Sequence, residues 1–350
     1  MKIHIACNDG SPIDKAWSDI HGAGVGGAEY ALLSLSEQFV KDGHEVVIYN
    51  QNGSEEIEEA GIIFRNLNTV MSGDDDRILI AFRSPNHRVT DAKAEMKLWW
   101  STDQHTIGSF KTFAEHVEFI ITISPFHTDY HIKTYGFDTS QIAHIDLGVR
   151  DEYLSLDEIE KTKNLCIFCS VPDRGLQVLY KAWPMIKHSV PDASLIITSD
   201  YRLWGLPSPG NHKHRLMWSD SNDVSFLGKI PRDELVKLQM SAEILAYPST
   251  YEELFCVSVA ECEVAGAYPV TSTKGAIPTT NQWGTSIIGD PTRPDFLPGF
   301  ASRIISLLND ERDFLESQRK IMMDEARERF SWERIAKEWY GLFENGGIQK

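Results

Sequence analysis

Residues 247–272 read YPSTYEELFCVSVAECEVAGAYPVTS. The run EILAYPS (243–249) reads as a strand, and the loop after it carries Glu253. A helix is predicted from about Phe255–Val257, Gly266 closes it, and YPVTS (268–272) reads as the next strand. A helix start leaves its first amides unpaired, so Phe255, Cys256 and Val257 offer free N–H groups to an anion. Glu253 and Glu261 stand one on each side of that start, eight residues apart. Carboxylates accept hydrogen bonds from hydroxyls and do not bind phosphate. An anion-binding helix end with a hydroxyl-binding acid on either side describes a sugar nucleotide. The plainer alternative is two surface acids favoured by the helix dipole.

The same alternation of strand and helix extends in both directions, which makes the chain α/β. Upstream, KIHIAC, HEVVIYN, RILIAF (77–82), MKLWWS (96–101) and EFIITIS (118–124) are apolar runs of the kind buried parallel strands show. Leu32, Leu35 and Phe39 keep helical spacing within 28–42, with Gly43 as stop. The pattern lapses in GVRDEYLSLDEIEKTKN, a linker by composition. It resumes with LCIFCS, a helix at 175–188, SLIITS, DVSFLG and a helix at 232–241. The expected division is 1–153 and 154–330. In SWERIAKEWYGLFENGG, Trp332, Ile335, Trp339 and Leu342 share one helix face, so 331–350 is expected to pack back on the first domain and complete it.

Composition narrows the function. Asp and Glu outnumber Lys and Arg by 51 to 34, a formal charge of -17, which gives no strong signal for nucleic acid. Five irregularly spaced cysteines suit a reducing compartment, and Cys166-x-x-Cys169 without a second pair reads as core packing. The N-terminal apolar run is too short for a signal peptide, and no stretch reaches the ~20 apolar residues of a membrane span. A cytoplasmic setting with no transmembrane segment is the expectation.

Two motifs point elsewhere and fail on context. Gly22, Gly24 and Gly27 in HGAGVGGAEY spell the dinucleotide fingerprint, which should follow the first strand directly and be matched by an acid ending the second. Here the strand ends near Cys7, and the second ends in Asn50 and Gln51. An NAD-dependent oxidoreductase is therefore the weakest alternative. Asp74, Asp75 and Asp76 contain D-x-D, a metal–diphosphate motif in some sugar transferases, but sit in a turn-like MSGDDDR that reads as solvated.

On EELFCVSVAE the sequence resembles the retaining glycosyltransferases of family 4, whose signature is E-x7-E. The resemblance implies a GT-B fold, two Rossmann-like domains facing across a cleft. It also implies that Glu253 meets the donor sugar hydroxyls and Glu261 the ribose hydroxyls, with Cys256 where many members have Gly. VPDRGLQVLYKAWPMIKHSVPDASLIITS (171–199) is similar to the family's phosphate loop. Arg174 there replaces the usual Lys, and Ser170 stands nearest the place of an earlier Arg. VSFLGKIPRDEL (224–235) is similar to the segment that meets the base, at Lys229 and Ile230. GVGGAEYALLSLSEQFVKDGHEVVIY is similar to the family's Gly-Gly helix, so Gly26 and Gly27 would let backbone approach phosphate or acceptor. WWSTDQHT (99–106) is similar to the next active-site loop and offers Asp103 and His105.

The expected function is transfer of a sugar, with retention, from a UDP-, GDP- or ADP-sugar to a hydroxyl acceptor that the sequence leaves unnamed. No metal and no other cofactor are expected; the nucleotide sugar is a substrate. The alternatives are a degenerate GT-B protein that only binds sugar nucleotides, and a transferase acting on a modified DNA base.

Overall fold

The computed structural model describes residues 1–8, 26–51, 56–156, 159–204 and 211–345. It divides into two compact units. Unit 1 holds the N-terminal strand, residues 27–148 and the segment from Ser331; unit 2 runs from Val149 to Phe330 and also takes in Gly26.

Unit 1 is built on β1 (Lys2–Cys7), β2 (Glu45–Asn50), β3 (Ile57–Glu59), β4 (Ile62–Asn66), β5 (Ile78–Phe82), β6 (Met96–Trp100), β7 (Phe119–Thr122) and β8 (Ile142–His144). Their order in the sheet is β3-β4-β2-β1-β5-β6-β7-β8. All neighbours are parallel except β3 against β4. The apolar runs are strands because both faces are covered: β5 is buried at every residue, and so is β1 after Lys2. β4 and β8 are short or half polar, with no period to read, and they add strands the sequence pattern does not disclose. Helices α1 (Gly27–Lys41) and α2 (Pro125–Tyr135) follow β1 and β7.

Unit 2 contains β9 (Leu165–Phe168), β10 (Ser194–Ile197), β11 (Val224–Phe226), β12 (Ile244–Tyr247), β13 (Tyr268–Ser272) and β14 (Thr285–Ile287), in the order β11-β10-β9-β12-β13-β14. Every pair is parallel. The chain moves outward from β9 to β11, then returns to the other side of β9 with β12. That reversal opens a crevice at the carboxyl ends of β9 and β12, the place where doubly wound sheets bind ligands. Unit 1 reverses in the same way between β1 and β5. Helices α3 (Leu176–Ser189), α4 (Arg232–Ser241), α5 (Val257–Ala265), α6 (Phe296–Asn309) and α7 (Arg312–Arg329) belong to unit 2. Both Cys166, on β9, and Cys169 are buried, so the C-x-x-C is part of the core.

The last helix, α8 (Trp332–Asn345), packs on unit 1. Its face of Trp332, Ile335, Trp339 and Leu342 is buried. The Trp339 ring meets Trp100 edge-on at 5.3 Å and Phe39 at 6.5 Å. Gly148 lies so close to Trp332 that a Cβ would fall 2.5 Å from the indole. Truncating Trp339 to Ala is expected to cost about 3–5 kcal/mol of unit 1 stability, as for other fully buried aromatics. Urea unfolding of wild type and Trp339→Ala measures it.

Candidate functional site

The crevice of unit 2 is made by two loops that touch. After β9 the chain turns through Asp173 and Gly175 into α3. Gly175 has φ +103, and a Cβ there would lie 2.2 Å from the Pro248 carbonyl oxygen, so glycine is required. This close approach sets Arg174 against the loop after β12. There Arg174 Nη1 pairs with Glu253 Oε2 at 3.0 Å, and the guanidinium stacks over the Tyr251 ring at 4.9 Å. Glu253 is 3% exposed. Its other oxygen, Oε1, accepts the Tyr247 hydroxyl at 2.6 Å. Burial raises the Glu253 carboxyl above its usual value, against the opposing pull of Arg174 and Tyr247. The backbone of Glu253 is fixed as well: Ala276 N donates to its carbonyl at 2.7 Å.

The helix start beside it is open. Among the described residues the amides of Phe255, Cys256 and Val257 have no acceptor within the chain. Cys256 caps α5 with φ +75, the left-handed conformation that glycine supplies without strain. The position therefore keeps a glycine-like backbone under a cysteine side chain, at a cost of roughly 1–2 kcal/mol. The Ser258 hydroxyl donates to the Cys169 carbonyl at 2.6 Å and ties the helix start to the end of β9.

Glu261 sits one turn into α5 and is 3% exposed. Arg150 Nε lies 3.1 Å from its Oε1, and Gln239 Nε2 donates to Oε2 at 3.4 Å. Gln239 is in turn held by the buried Tyr153 hydroxyl. In the loop after β11 the Lys229 amide donates to Asp200 Oδ2 at 3.1 Å, and both Lys229 and Ile230 are half-buried. Arg174 and Glu253 are thus brought into direct contact, with Phe255, Cys256 and Val257 next in the chain. Glu261 and Lys229 are each held by separate partners.

Gly26 immediately precedes α1, and Gly27, the first residue of that helix, belongs to unit 1; Gly22 and Gly24 lie outside the described residues. Asp103 Oδ2 accepts from Arg83 Nε at 2.5 Å, and its carbonyl faces His127 Nε2 at 3.1 Å. His105 is exposed and rests on the Phe110 ring at 5.4 Å. The two buried histidines of this region are His127 and His131. Burial lowers His127 to about 4, against a hydrogen bond to the Asp103 backbone. Burial, aided by His127, lowers His131 to about 3. Both are neutral at physiological pH. In the acidic turn, Asp74 and Asp76 pair with Lys2 at 2.8 and 2.9 Å. Among the described residues no group of three or more His, Cys, Asp or Glu is placed to hold a metal ion.

Tyr247, Gln239, Arg150 and Arg83 enter these networks without a sequence signal of their own. Arg150 and Arg83 do follow recognisable landmarks: the Leu147-Gly148-Val149 turn and the strand RILIAF.

Residues 162–310 match the family model described as "Glycosyl transferases group 1". The matched stretch lies within unit 2. Among curated proteins, the chain is 26% identical over 146 residues to a GDP-mannose-dependent monoacylated α-(1-6)-phosphatidylinositol monomannoside mannosyltransferase of Corynebacterium glutamicum. The match covers 40% of this chain and 36% of that protein's length. Among solved structures, sucrose-phosphate synthase of Thermosynechococcus elongatus superposes with a TM-score of 0.74 at 16% identity, covering 97% of this chain and 98% of that one. HepE of Anabaena in complex with UDP-glucose gives 0.70 at 15% identity, with 98% and 99% covered. The fold is GT-B, with a Rossmann-like sheet in each unit. No described helix is long and apolar enough to cross a membrane.

Glu263 of helix α5 gives a pH test of its packing. It is fully buried, and burial raises its carboxyl well above the usual value, against bonds from the Trp283 backbone and the charge of Arg329. A carboxyl raised in the folded state holds its proton where the unfolded chain has lost it. Stability therefore falls as pH rises above the unfolded value near 4.5. Glu263→Gln is expected to match wild type below that pH and to become increasingly more stable above it. Melting temperatures of both proteins from pH 4 to 8 provide the check.

Proposed function

We propose that the protein is a retaining glycosyltransferase that moves a sugar from a nucleotide-sugar donor to a hydroxyl acceptor. The observation that carries this reading is the pair of half-buried Arg174 with buried Glu253 at the crevice of unit 2, beside the open amides of residues 255–257. The bond between the anomeric carbon and the diphosphate breaks with its electron pair on the leaving phosphate. Arg174 and the amides stabilise that developing charge. The acceptor oxygen forms the new bond on the same face of the sugar, and its proton passes to a donor phosphate oxygen. Glu253 accepts hydrogen bonds from the sugar and Glu261 from the ribose, while the Lys229–Ile230 backbone meets the base. Gly26 and Gly27 admit backbone close to the phosphate or the acceptor, and Asp103 and His105 serve the acceptor side.

The names of the matched relatives support a nucleotide-sugar donor, a GDP-sugar in one and a UDP-sugar in another. The five cysteines, all buried and unbridged, support a cytoplasmic setting. Ser170, where the family has a further cation, favours one second reading: a protein that binds the donor without transferring it. A donor that binds and is never hydrolysed or transferred selects that reading.

Thermal-shift measurements with UDP-, GDP- and ADP-sugars test the proposal. One base class is expected to raise the melting temperature, by the equivalent of about 2.7 kcal/mol at a concentration a hundredfold above Kd. Arg174→Ala is expected to weaken nucleoside-diphosphate binding by about 1.5–3 kcal/mol, the range for hydrogen bonds to charged groups. A shift with NADH and none with any nucleotide sugar would sink the reading.

A further inference from the structure

Unit 1 has a crevice of its own at the reversal between β1 and β5, and an arginine–glutamate pair spans it as in unit 2. Glu29 lies in the first turn of α1, the helix after β1, and Arg83 directly follows β5. Arg83 Nη1 meets Glu29 Oε1 at 3.0 Å, while its Nε meets Asp103 Oδ2 at 2.5 Å, from the loop after β6. One guanidinium thus locks two carboxylates from two other elements. Each acid keeps a second oxygen, Glu29 Oε2 and Asp103 Oδ1, without a partner among the described residues. All three side chains are about one-third exposed, at 29%, 28% and 33%, so the free oxygens belong to a wall that solvent reaches.

The backbone at Arg83 is a second, independent sign. Its φ is +64, a conformation that side chains other than those of Gly, Asn and Asp rarely adopt. The neighbouring strand β6 holds it there: Arg83 N donates to the Trp100 carbonyl at 2.8 Å, and the Trp99 indole donates to the Arg83 carbonyl at 3.1 Å. A strained residue that glycine would relieve, placed at a ligand crevice and aiming two acids, is the pattern of a functional position.

We infer that Glu29 and Asp103 receive the hydroxyls of a carbohydrate acceptor, and that Arg83 is the positioning residue that aims them. Carboxylates accept hydrogen bonds from hydroxyls and repel phosphates. With one oxygen of each acid held by the planar fork, the two free oxygens can each accept from a sugar hydroxyl. The inference rests on the glycosyltransferase reading and supplies its acceptor class, a neutral glycan.

A glycan array probed with the full chain, in the presence of saturating UDP or GDP, tests it. Wild type is expected to retain a set of neutral glycans. Arg83→Gly fits the left-handed backbone, so it should melt no lower than wild type, yet retain those glycans at least tenfold more weakly. Arg83→Lys keeps the charge without the fork and should recover only part of the loss. Equal retention by Arg83→Gly, retention of phosphorylated glycans alone, or no retention by wild type overturns the inference. The nucleotide-induced thermal shift reads unit 2 separately. Its absence in wild type defeats the glycosyltransferase reading, whereas its presence beside unchanged glycan retention in Arg83→Gly defeats this inference alone.

Discussion

A carboxylate buried at the mouth of a parallel sheet must carry its neutralising partner with it, and this constraint organises unit 2. Glu253 is almost fully enclosed, so it needs both the Arg174 guanidinium and the Tyr247 hydroxyl. Arg174 reaches it only because Gly175 lets one loop press onto the backbone of Pro248. Gly275 does the same on the other side, where a Cβ would fall 2.3 Å from the Glu253 carbonyl oxygen. Two glycines in left-handed conformations thus bracket one acid. The free amides of α5 follow because the loop that carries Glu253 leads straight into that helix. Ion pair, close approach and open helix end form a single arrangement.

The sequence predicts the elements around this arrangement well, because their signals are local. Gly266 and the apolar run from Val257 place α5 between its true ends, and the apolar strands β1, β2, β5, β6 and β7 stand out by composition. The same reading passes over β4, β8 and β14, which have three to five residues and too little apolar character to show a period. Within the site, Arg174 and Glu253 are legible as residue types following strands. Their pairing is not, since it depends on which strands become neighbours. Arg150 on Glu261 and Tyr247 on Glu253 are invisible for the same reason. Register, not composition, brings them together.

The two crevices treat charge alike. In unit 2 the arginine follows the first strand and the acid follows the fourth; in unit 1 the acid comes from the helix after the first strand and the arginine follows the fifth. In a protein with a formal charge of -17, each reversal of strand order is bridged by one cation. The pairing holds the loops of each crevice in register without a covalent tie. It also leaves acceptor oxygens and amides, groups with directional demands, without a partner among the described residues.

The position of α8 in the chain has a consequence for synthesis. Unit 1 needs Trp332 and Trp339 to cover Tyr30, Phe39 and Trp100, yet the ribosome makes them after all of unit 2. The first sheet must therefore emerge with an aromatic face uncovered, while residues 149–330 of the second unit form a continuous stretch of chain. A nascent chain in that state presents an apolar surface for which a chaperone is the natural temporary cover. Order of translation and order of completion run opposite ways in this protein.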